Sequence, residues 1–302
     1  MTSVDSHLAA SRRQGRRWAR DIAARLDPVA DHEYLTHLTL EVRYGDPILT
    51  SALYTVAFCR QMAVPSIAKV VYRGGRAPMI QATRKRNDDT MVFFGEFMRQ
   101  GYSSGRGRAA ISRLNQIHSR FPITNDQSLY TLASLALEPA RIPAMLGCEV
   151  LTPTEVDANL RFWQGVGRAM GLHDIPDTTT EFHSWTIAYE RSTWAWSHGG
   201  AAVARAVIDD YAARWFPSKL QWFGRAFAMA LCDDQLLAVH RLPTPPRWAR
   251  LFAATTLRAY ALGRRILPDP KDRSWVDYYG KAYPSHIDID AVGYRPTEPR
   301  AS

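Results

Sequence analysis

The run Thr152-Pro153-Thr154-Glu155 restricts this chain more than any other stretch: a hydroxyl, a proline one place on, and a carboxylate three places after the hydroxyl. Threonine and glutamate can each accept from the other's backbone N–H, and proline is preset for the first helical position. Thr178 and Glu181 repeat the pattern ahead of FHSWTIAYERSTWAW. Apolar residues recur at helical spacing over 83–100, in the 111–132 stretch, from 125 toward Pro143, from 153 to Gly171, and over 200–215, 218–241 and 246–266. Period-two segments rich in β-branched residues are nearly absent, so the expected class is all-α. Gly101 is expected to stop the 83–100 helix, and Asn125 or Asp126 to cap a later one that Pro139 kinks and Pro143 ends.

No internal repeat is visible, and no linker between 50 and 267 is long or polar enough to divide the chain. The reading is one helical domain over 45–268. A basic arm with lead-in helices precedes it (1–44), and an irregular tail follows (269–302), wrapping the surface and disordered from about Thr297. The most apolar candidate for a membrane span, 51–72, is interrupted by Arg60, Gln61, Pro65 and Lys69. The basic start is followed by no apolar signal-peptide core, so a cytoplasmic protein is expected. Cys59, Cys148 and Cys232 are far apart and in apolar contexts, which reads as free thiols with no zinc or iron–sulfur pattern. Much of the net charge of +9 comes from Arg12, Arg13, Arg16, Arg17, Arg20 and Arg25. Without a helix-turn-helix, zinc-finger or RNA-binding signature, that cluster reads as a solvated arm and not as a nucleic-acid site.

Two helices are odd. In ISRLNQIHSRF the apolar stripe Ile111, Leu114, Ile117, Phe121 takes in His118, seven after Ile111 and four after Leu114. Such an imidazole is either a hydrogen-bonded core histidine or a ligand to a buried metal. In the 83–100 helix, stepping back by four from Phe94 gives Thr90 and then Arg86, so a hydroxyl and a guanidinium extend an aromatic stripe. A buried arginine must meet an acid, carbonyls or a ligand; the other reading points Arg86 outward on a solvated first turn. Joined by a short Gly/Ser loop, the two helices are expected to pack antiparallel, bringing His118 toward Arg86 and Thr90. Nine Trp, thirteen Tyr and eleven Phe leave room for a wide aromatic interior, and a histidine in an aromatic helical cavity suits haem.

The order Arg86-x-x-x-Thr90, a Gly-rich break, Arg113-Leu114-x-x-Ile117-His118, then Asp126 to Ile142 and Trp185-x-x-x-Tyr189-Glu190 resembles the MpaB/latex-clearing-protein family of haem oxygenases, most of all its MpaB-type branch. The resemblance covers roughly 45–268. It implies a globin-like helical core binding haem b, with dioxygen as co-substrate and cleavage of isoprenoid C=C bonds as the chemistry of the characterised branches. His118 matches the axial iron ligand, and Arg86 and Thr90 the polar positions on the opposite side. Rubber-cleaving members have a lysine just before that threonine; this chain has Asp89, so a lysine-gated closed state is not expected. With that frame, Asn115 is a candidate to orient the imidazole, and Arg113 and Arg120 are candidates for the haem propionates or plain surface cations. Tyr130, Trp185 and Tyr189 match motif positions and otherwise read as core aromatics. Glu138 and Glu190 read as base or as partners of buried arginines, and His183 and His198 as surface residues. Neither a secretion signal nor a membrane anchor is read in the sequence, so a diffusible apolar substrate, isoprenoid-like or a secondary metabolite, is expected. The alternatives are a haem peroxidase- or desaturase-type oxidoreductase, and a non-catalytic lipid or haem carrier whose basic arm touches membrane.

Overall fold

The computed structural model describes residues 15–283 and 287–293. Short lead-in helices α1 (Trp18–Ala23) and α2 (His32–Thr36) run into a π-helical turn, His37–Arg43. Then come α3 (Pro47–Met62), α4 (Pro65–Tyr72), α5 (Pro78–Gln81), α6 (Thr83–Gln100) and α7 (Gly105–His118). The second half holds α8 (Asn125–Met145), α9 (Pro153–Ala169), α10 (Thr179–Thr193) and α11 (His198–Trp215). It ends with α12 (Gln221–Ala230), α13 (Asp234–Val239), α14 (Arg247–Ile266) and α15 (Trp275–Tyr279). Among the described residues no strand forms, and the class is all-α.

The segment 51–72, too polar to span a membrane, supplies the centre of the molecule. From Thr50 to Met62 α3 buries all but one residue, and α8, α11 and α12 pack around it. A helix apolar on every side belongs in a core, and its polar side chains are met there: Gln61 donates to Ser134 Oγ at 2.9 Å. Arg60 lies between three acids, with Glu138 Oε1 at 2.9 Å, Asp233 Oδ2 at 2.8 Å and Glu190 Oε1 at 3.5 Å. Burial works against its charge, but Glu138 foremost, then Glu190 and Asp233, hold the guanidinium above its ordinary range. No described helix is long and apolar enough to cross a membrane.

Both expected capping boxes form, at Thr152/Glu155 and Thr178/Glu181. Three local expectations are corrected. The cap of α8 is Thr124, whose box closes with Gln127; neither Asn125 nor Asp126 caps it. That helix also continues through Pro143 to Met145, because packing of Leu132, Leu137 and Ile142 into the core outweighs the bonds the prolines forgo. The 218–241 stretch is not continuous: it breaks at Cys232, where Asp233 caps α13 by accepting from Leu236 N–H.

The basic start is not a free arm where it is described. Arg20 pairs with Asp269 at 3.0 Å and donates to the carbonyls of Arg265 and Leu267. Arg12 and Arg13 lie outside the described residues, as does the stretch from Thr297. The tail is anchored as well. Asp272 and Ser274 reach the π-helical turn, and α15 packs on α6, where Val276 sits too close to Gly95 for any larger residue. Farther on, Arg106 donates to Ile287 O and Arg113 to Val292 O, which lays the last described residues along α7.

Candidate functional site

A four-residue connection, opened by Gly101 at φ 79°, turns α6 into α7. Arg106 at the start of α7 pairs with Glu96 near the end of α6, so the helices run antiparallel. The last residue of α7, His118, is thereby brought back to the first turns of α6. Its imidazole is partly buried and has no hydrogen-bond partner among the described residues. Burial, helped by the nearby positive charge of Arg86, pushes its pKa down to about 4. At neutral pH the ring is therefore uncharged and keeps a nitrogen lone pair free.

Across from it, Arg86 donates to the Thr90 hydroxyl, which in turn donates to Arg86 O at 2.9 Å. Both side chains are partly buried, so Arg86 is not the outward-pointing cation of a solvated first turn. Asp89, one residue before Thr90, is buried and pairs with Lys85 at 2.9 Å while accepting from the Tyr283 hydroxyl. The sequence pattern thus assembles His118, Arg86 and Thr90 in one place.

The supporting candidates lie farther out. Arg113 is turned to the tail carbonyl of Val292 at 3.4 Å. Asn115 donates to Ala169 O at 3.4 Å, and Arg120 is exposed. Tyr130 is fully buried and donates to Glu190 at 3.0 Å; its ring stands 5.0 Å from Tyr189, which stacks on Trp185. Glu138 and Glu190 are joined to Arg60 and Arg141, so each is an ion-pair partner in this arrangement. His183 is exposed, and His198 is exposed and within 3.2 Å of the Tyr72 hydroxyl.

Sequence reasoning missed Tyr54. Its hydroxyl donates to Asn87 Oδ1 at 3.1 Å beside Thr90, and Asn87 donates in turn to Asp210 at 2.8 Å. Burial pushes the Tyr54 pKa up to about 12, so the phenol stays protonated. The only signal was a tyrosine inside the apolar run SALYTVAF, which reads as packing. The ring of Tyr54 also lines an apolar cavity that is partly open to solvent. Leu53, Ala57, Met91, Phe94, Leu135 and Trp163 form much of its wall, and Thr50, Ser134 and Glu138 bring the few polar groups. His118, Arg86 and Thr90 do not line it; Tyr54, which does, also neighbours Thr90 in the polar notch. Its mostly apolar wall with a few polar groups is the chemistry of a pocket for an apolar molecule.

The family model described as "ER-bound oxygenase mpaB/B'/Rubber oxygenase, catalytic domain" matches residues 42–262. The ER-bound oxygenase mpaB of Penicillium brevicompactum is 26% identical over 232 residues, covering 74% of this chain and 54% of that protein. Its mpaB' counterpart from the same organism is 25% identical over 226 residues, covering 68% and 52%. An mpaB from Penicillium roqueforti is 27% identical over 146 residues, or 46% and 49%. The chain spans about half the length of the curated relatives it matches. The antiparallel α6–α7 pair with His118, Arg86 and Thr90 falls inside the matched residues, as does the cavity lining except Leu40 and Trp275. This chain belongs to the family of ER-bound oxygenases mpaB/B' and rubber oxygenases.

Proposed function

We propose that this protein is a haem b-dependent oxygenase that uses dioxygen on an apolar substrate, isoprenoid-like or a secondary metabolite, with oxidative C=C cleavage as the reaction. The observation that carries the reading is the state of His118: neutral, lacking a hydrogen-bond partner among the described residues, and facing a guanidinium and a hydroxyl. The donor set fits haem. An uncharged, partly buried imidazole is a donor suited to iron for which a macrocycle would supply the other ligands. His118 would hold the haem iron in this reading. Arg113 on α7 and Arg120, two residues past its end, would hold the propionates, and Asn115 steadies the C-terminal part of α7 through its bond to Ala169 O.

Bound haem supplies dioxygen activation. The chain's own residues do the rest. Arg86 keeps a fixed positive charge facing the imidazole, and Thr90 offers a hydroxyl oriented by its bond to Arg86 O. Preset donors of this kind stabilise negative charge without reorganising. The protonated phenol of Tyr54 holds Asn87, and its ring lines the cavity. Leu53, Ala57, Phe94 and Trp163 bind the apolar substrate and exclude water from it.

The test is an absorption spectrum of protein expressed with a haem precursor. A Soret band that shifts on reduction and CO is the expected result, together with its loss in His118→Ala while the helical circular dichroism is kept. A colourless wild-type protein under those conditions refutes the proposal. Incorporation of ¹⁸O₂ label into product then separates oxygen insertion from peroxidase-type oxidation.

A further inference from the structure

The C-terminal long helix, α14, is apolar on both sides but buried on only one. Inward, Ala249, Ala253 and Ala261 are buried, and Leu257 and Tyr260 line the cavity. Outward, Leu251 is 68% exposed, Leu262 57% and Ile266 69%. At about 100° per residue these three fall with Trp248 within an arc of roughly 60°, along about 27 Å of helix. The stripe widens at its start, where exposed Trp222 meets the Trp248 ring edge-on at 5.9 Å and Leu220 is also exposed.

The border of the stripe is cationic. Arg247, Arg258 and Arg265 fall within about 40° of Leu251 on one side. Arg258 donates to the carbonyls of Leu146 and Gly147 and Arg265 to that of Glu149, which fixes these guanidiniums at the edge. At the far end, Arg16 and Arg17 join Arg265 around a cleft that also takes in Ile266, Leu267 and Pro268. Helix α14 holds five arginines and no acidic residue.

We propose that this face docks on the surface of an anionic lipid bilayer. Helix α14 lies in the plane of the headgroups, with Trp222, Trp248, Leu251, Leu262 and Ile266 in the acyl boundary and the bordering arginines on lipid phosphates. Exposed tryptophan and aliphatic residues on one face with arginine beside them are the pattern of an interfacial helix, and this one docks without spanning. The charge argues against a second copy of the chain. A two-fold pairing through this face of α14 brings six bordering guanidiniums together with no carboxylate from either helix, in a protein of net charge +9. Docking also has a use: the opposite side of α14 walls the apolar cavity, placing it about one helix diameter, ~10 Å, from the acyl chains.

The test is co-sedimentation of the full chain with phosphatidylcholine vesicles, with and without phosphatidylserine. Binding to the mixed vesicles, weak binding to the neutral ones and a steep fall with salt are expected. Leu251→Glu with Leu262→Glu abolishes the binding. Arg247→Gln with Arg265→Gln lowers the partition roughly tenfold. Both pairs are surface substitutions, and unchanged thermal unfolding checks the fold. The proposal is overturned if the wild type stays in the supernatant, or if both variants bind as it does. It is also overturned if sedimentation velocity shows a dimer that Leu251→Glu dissolves.

Discussion

His37 in the π-helical turn offers the sharpest test of how the ends of the chain are tied together. Its Nδ1 is 2.6 Å from Glu41 Oε2 and its Nε2 3.0 Å from Asp272 Oδ1, so one imidazole bridges the turn and the tail. Burial pushes its pKa down, but the hydrogen bonds and charges of Asp272 and Glu41 override this and hold it up at about 9, against 6.5 ordinarily. A proton held more tightly in the folded state stabilises it. That contribution is complete below the unfolded value of 6.5 and is lost as pH rises through about 9. The gap corresponds to about 3 kcal/mol. On the acid side Asp272 stays ionised: burial opposes its charge, yet the bond to His37 keeps its pKa below the usual carboxylate value. Urea unfolding at about pH 6 and about pH 9.5, for wild type and His37→Gln, reads the effect. Wild type is expected to lose about 3 kcal/mol more than the variant between the two pH values, with the variant already weaker at the lower one. Parallel losses in the two proteins would show that no proton is held in this bridge.

Two other substitutions follow from the packing. Arg60→Met removes the cation between Glu138, Glu190 and Asp233 and strands two buried carboxylates, with an expected loss of about 3–5 kcal/mol by thermal or urea unfolding. A loss under about 1 kcal/mol would mean that Arg141 alone carries both acids. In Gly165→Ala the added methyl overlaps the Tyr102 ring, whose hydroxyl bonds His32 at 2.9 Å. That overpacking is expected to destabilise by about 1–3 kcal/mol, and a neutral result would show that the ring moves aside freely.

What could be read in advance divides along a physical line. Periodicity and capping chemistry are local, so the helices, both capping boxes and the stop at Gly101 were visible in residues a few places apart. The α6–α7 pairing was legible because a connection of four residues allows little else. Pro143 misled because tertiary packing of α8 outweighs a missing N–H, and that packing involves residues a hundred places away. The partners of Arg60 come from α8, α10 and the start of α13, a convergence no window of sequence contains. Tyr54 was hidden for the opposite reason: its local context is ordinary, and only the return of α6 beside α3 gives its hydroxyl a polar neighbour. The resemblance supplied His118 with a role, while the reason that role is physically available, a neutral ring held against Arg86, needed coordinates.

The stretch after Ile266 lies beyond the residues that match the family model, yet it touches every element that shapes the polar notch. Val276 fits against Gly95 of α6, Tyr283 holds Asp89 one residue from Thr90, and the Val292 carbonyl takes Arg113 of α7. It acts as a splint laid across both helices from outside the conserved-domain limits. A chain trimmed to 42–262 would keep His118, Arg86 and Thr90 while losing these contacts to the helices that carry them. In this protein the packed unit is therefore longer than the unit by which its kinship is recognised.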